Sequence, residues 1–86
     1  MEPSLTMYAL DINSNVIATK EAVELFRGSS VKMFFKEVKG AHAVWARAEK
    51  GWIGIHCAND SWYLNDCIAF EKLPKPFQMY LMLLGE

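Results

Sequence analysis

Seven side chains in the middle of the chain combine positive or titratable nitrogen with aromatic surface: Lys32, Phe34, Lys36, Trp45, Arg47, Trp52 and His56. Rings interleaved with cations stack unpaired bases and hold phosphates. The same mixture anchors protein interfaces, where Trp and Arg carry a large share of the binding energy. It also makes an ordinary second core, with Lys and Arg stems snorkelling at its edge, if a helix covers the face.

Other residues invite catalytic or metal chemistry and hold up less well. His56 and Cys57 are adjacent, and neighbours in a strand point to opposite faces, so they do not form a nucleophile–base pair with each other. A zinc site needs four ligands, and His42, Cys67, Asp60 and Asp66 show none of the usual tight spacing. Cys57 is a packed thiol in this reading rather than a reactive one. Asp60 and Asp66 could serve acid–base chemistry, but Asn59-Asp60 and Asn65-Asp66 are turn-forming pairs first. Gly-rich phosphate loops and Gly-x-Ser-x-Gly elbows are missing from the sequence. We therefore expect no enzyme, no catalytic residue, no metal and no cofactor. A hydrolase or isomerase working near His56, Asp60 and Asp66 is the least favoured reading.

The elements that would position the basic and aromatic set follow from two Lys-Gly pairs, at 39–40 and 50–51. Treated as two-residue hairpin turns, they set Phe35 opposite Val44, Met33 opposite Ala46 and Val31 opposite Ala48. They then set Ala48 opposite Ile53, Ala46 opposite Ile55 and Val44 opposite Cys57. One face becomes wholly apolar, which a one-residue slip would destroy. The other face carries Lys32 opposite Arg47, Phe34 opposite Trp45 and Trp45 opposite His56, while His42 lies opposite Glu37. This spacing predicts a three-stranded antiparallel meander over 31–58.

Around the meander, residues 5–12 predict a first strand, and Asp11-Ile-Asn-Ser-Asn15 a turn made by local side-chain hydrogen bonds. A helix is predicted near 19–27, capped by Thr19 and stopped by Gly28. Residues 61–73 continue the sheet after a turn at either Asn59-Asp60 or Asn65-Asp66. Pro76 suits a first helical turn and opens a short apolar helix over 76–84, closed by Gly85. Its apolar circumference implies burial on more than one side. Phe77, Tyr80, Leu81 and Leu84 share one face and are the candidate oligomer interface; Met79, Met82 and Leu83 fall on the other flank.

The 86 residues are the length of a single domain, 1–86. Hydrophobic residues make up 52% and charged residues 22%, a folded rather than disordered composition. Nine basic against ten acidic residues argue against a general phosphate-coating protein. Neither a signal peptide nor a membrane span is predicted, and two cysteines without Cys-x-x-Cys suit a reducing, cytoplasmic setting. The fold class expected is α+β, with an antiparallel sheet of four to five strands, and a small SH3-like barrel is the alternative. The function expected is a small non-enzymatic protein–protein interaction module that binds or occludes a partner, a homodimer being one form of it. Binding of RNA or single-stranded DNA through the basic-aromatic sheet face is the alternative.

Overall fold

The computed structural model describes residues 5–22, 29–48, 50–58, 61–65 and 67–85. Five strands form one antiparallel sheet in the order β2-β1-β3-β4-β5. They are β1 (Leu5–Leu10), β2 (Val16–Ala22), β3 (Ala43–Ala48), β4 (Gly51–Ala58) and β5 (Ser61–Leu64). Two α-helices, α1 (Ser29–Glu37) and α2 (Lys75–Leu83), accompany the sheet, with a short 3-10 turn at Phe70–Lys72. The α+β class is as expected, while several elements lie elsewhere in the sequence than expected.

Strands β1 and β2 form a hairpin around the predicted turn. Asp11 organises it: its Oδ1 accepts from the Asn13 and Asn15 amides at 2.9 and 3.0 Å, and its carbonyl accepts from the Ser14 amide. Ser14 takes a positive φ of 66° there. The return strand is where the predicted helix near 19–27 fails. Residues 16–22 pair with β1 from Leu10↔Val16 to Leu5↔Ala22, with a bulge near Ile17. Val16, Ile17 and Thr19 are β-branched and suit a strand laid on a partner; Thr19 caps nothing. The rest of the predicted helix, 23–27, and its stop at Gly28 lie outside the described residues.

The predicted meander over 31–58 is also corrected, because its first third is helical. Val31, Phe34, Phe35 and Val38 recur at i, i+3, i+4 and i+7, the spacing of one helix face. Val31 and Phe34 are buried and Phe35 and Val38 half-buried, while Lys32, Met33, Lys36 and Glu37 face out. Topology demands a crossover here. Strands β2 and β3 both run antiparallel to β1 and flank it, so they are parallel to each other, and such a connection is usually carried by a helix. Lys39-Gly40 is therefore the end of α1, with Gly40 at φ 86° and the Ala41 amide donating to the Val38 carbonyl. Glu37 pairs with Lys20 of β2 at 3.6 Å and does not face His42.

The second Lys-Gly pair does lie at a hairpin, with pairing two residues from that expected. Ala46 faces Ile53 and Val44 faces Ile55. A slip of two residues keeps every side chain on its face, so the apolar side survives. Strand β5 continues the meander from Ala58↔Ser61 to Ile55↔Leu64; the candidate turn residues Asn59, Asp60 and Asp66 lie outside the described residues. The chain then stays beside β4. Asn65 donates its amide to Gly54, and Trp52 and Ile68 exchange two hydrogen bonds of 2.8 and 2.9 Å. One extra residue is accommodated between those contacts, as in a bulged edge.

Each face of the sheet carries its own core. Met7, Ala9, Val44, Ala46 and Ile55 meet Val31 and Phe34 of α1. Tyr8, Leu10 and Trp52 meet Phe77 and Leu81 of α2, with Leu73 beside them. The sheet is thus covered on both sides and has two edges, β2 and β5; it does not close into the alternative barrel. Helix α2 matches its predicted span closely, with Pro76 in the first turn and Gly85 at φ 82° beyond the end.

Candidate functional site

The alternation of β1, β3 and β4 assigns Tyr8, Trp45 and Trp52 to the α2 side of the sheet. Phe77 projects from the first turn of α2 into the space between them. Its ring centroid lies 5.3 Å from both Tyr8 and Trp52 and 6.3 Å from Trp45, and Tyr80 lies 6.4 Å from Tyr8. Tilted and edge-on contacts of this kind add about 0.5–1.5 kcal/mol each beyond the area they bury. Gln78 locks the helix in place: its Nε2 donates to the Leu73 carbonyl at 2.6 Å and the Glu71 carbonyl at 3.2 Å. A buried amide with two such partners sets the angle at which α2 leaves Pro74.

The expected basic and aromatic surface is taken apart by this arrangement. Phe34 does not stand opposite Trp45; it is buried on the other side of the sheet, under α1. Lys32 and Lys36 are exposed on α1, one full layer away from Trp45 and Arg47. Trp45 is half-buried against Phe77, and Trp52 is buried. Arg47 is exposed, with its guanidinium carbon 5.5 Å from the centre of the Trp52 ring. His56 sits in β4 opposite Tyr63, and its side chain lies outside the described residues. The cations and rings are therefore split between two faces, and the rings are already engaged by Phe77.

The expected oligomer interface is likewise turned round. Phe77 and Leu81 are buried against the sheet and Tyr80 is half-buried; of that set, Leu84 alone stands out in water. The open side of α2 is the flank that carries Met79 (64% exposed), Met82 (66%) and Leu83 (87%), with Leu84 (57%) beside it. Both flanks are apolar, so the hydrophobic pattern did not decide which one would go inward. Gln78, the residue of that run with a side-chain amide, is on the buried side.

A groove of about 430 Å³ runs along this open flank, between α2 and the start of β2. It is lined by Asn15, Val16, Pro76, Met79, Tyr80 and Leu83. Asn15 and Val16 have no motif that marks them as surface contacts; only the β1–β2 hairpin brings them to the helix. Among the described residues no three His, Cys, Asp or Glu side chains gather as a metal cluster, and no helix is long and apolar enough to cross a membrane. Asp60 and Asp66 lie outside the described residues, as does the side chain of Cys57. Cys67 is free and exposed.

Comparison with protein-family models, with curated proteins and with solved structures finds no match to this chain.

Proposed function

We propose that this protein is a small non-enzymatic interaction module that docks an apolar protein surface on the open flank of α2. The observation that carries the reading is the run of Met79, Met82, Leu83 and Leu84, each more than half exposed, beside an apolar groove. Large apolar side chains gathered on one surface of a small protein mark an interaction site. Methionine-rich surfaces adapt to the shape of a partner because the thioether is flexible and polarisable. The action that follows is occlusion or scaffolding: the partner's apolar segment is covered by α2 while the sheet holds the helix rigid. A reducing, cytoplasmic setting belongs to the same proposal and agrees with the free, exposed thiol of Cys67.

The test compares wild-type protein with Met79→Lys/Leu83→Lys, two substitutions at exposed positions. Circular dichroism establishes that both are folded. Cross-linking followed by mass analysis then reads which molecules each one holds. The module reading expects a cross-linked species with wild type that the double variant lacks and that Lys32→Ala retains. It fails if the double variant keeps the species, or if wild type holds nothing.

A further inference from the structure

We draw no further inference here: the strongest candidate, the apolar surface patch that runs from the open flank of α2 across the groove to the start of β2, carries nothing beyond the docking reading because nothing in the structure shows what covers it.

Discussion

Trp45 stands directly across the β3–β4 ladder from Gly54, and a Cβ at position 54 would come within 3.0 Å of the edge of the indole. The missing side chain of β4 is thus the floor on which the Trp45 ring lies before Phe77 covers it. Gly54→Ala would push on that ring and on the Asn65 amide, also 3.0 Å away. Overpacking costs about 1–3 kcal/mol, and removing a flexible glycine from a strand returns about 0.5–1 kcal/mol. The expected loss is about 1 kcal/mol, or about 4–8 °C in melting temperature for a chain of this size. Thermal unfolding checks it; an unchanged or higher Tm refutes the assignment.

Gly51→Ala should cost more. A Cβ there would meet the Ile68 carbonyl oxygen at 2.5 Å and the Cys67 sulfur at 3.0 Å, with φ at 157°. A backbone oxygen cannot rotate away as a side chain does, so the Trp52–Ile68 pair has to open. Denaturant unfolding should show a loss of about 3 kcal/mol. Hydrogen exchange should show faster turnover of the Trp52 and Ile68 amides, with β1–β3 protection kept. Equal costs for Gly51→Ala and Gly54→Ala would contradict the close approach.

Gln78 gives a prediction with a pH signature. Gln78→Ala removes both donors from the Leu73 and Glu71 carbonyls and should lose about 1–3 kcal/mol. Gln78→Glu keeps the shape but turns an acceptor toward two acceptors, and its ionised form is disfavoured on folding, so its folded-state pKa rises. Such a group costs nothing below its unfolded pKa and destabilises progressively as pH rises through its folded pKa. The variant should approach wild-type stability in acid and fall away toward neutral pH, measured as the difference in unfolding free energy between the two proteins. A difference that is flat with pH would show that position 78 is open to water.

The Lys20–Glu37 pair should matter little. Its side chains are 46% and 54% exposed and the charges are 3.6 Å apart. Exposed ion pairs contribute about 0–1 kcal/mol. Lys20→Met should shift stability by less than about 0.5 kcal/mol, and salt should reduce even that. A loss above about 1.5 kcal/mol, beyond what exposed pairs contribute, would mean that the pair pins α1 to β2.

The parts of the fold that local chemistry determines were legible from the residues. Asp11 with its Asn and Ser neighbours makes the first turn, and Pro76 and Gly85 bracket α2. The two apolar sets of β3 and β4 survived a register error of two because strand periodicity is two. Residues 31–38 were the ambiguous case. Val31, Met33 and Phe35 alternate as in a strand, while Val31, Phe34, Phe35 and Val38 also follow a helix. Only the need to carry the chain past β1, a long-range demand, separates the two. The same holds for Val16–Ala22, where Thr19 and Glu21 resemble a helix start but the hairpin partner β1 decides. The proposed docking surface is half legible: the apolar run singles out α2, but which flank turns inward depends on where Phe77 finds the Tyr8 and Trp52 rings.

The gathering of rings beneath α2 has an optical consequence. Two of the three tryptophans, Trp45 and Trp52, lie on that side of the sheet, and none lies in α1. The ultraviolet emission of these two is thus a built-in gauge of how firmly the C-terminal helix is seated, with Trp62 of β5 adding a separate contribution. Detachment of α2 would redden and dim that signal while α1 still held its half of the sheet, so light and amide exchange together would time the two layers separately.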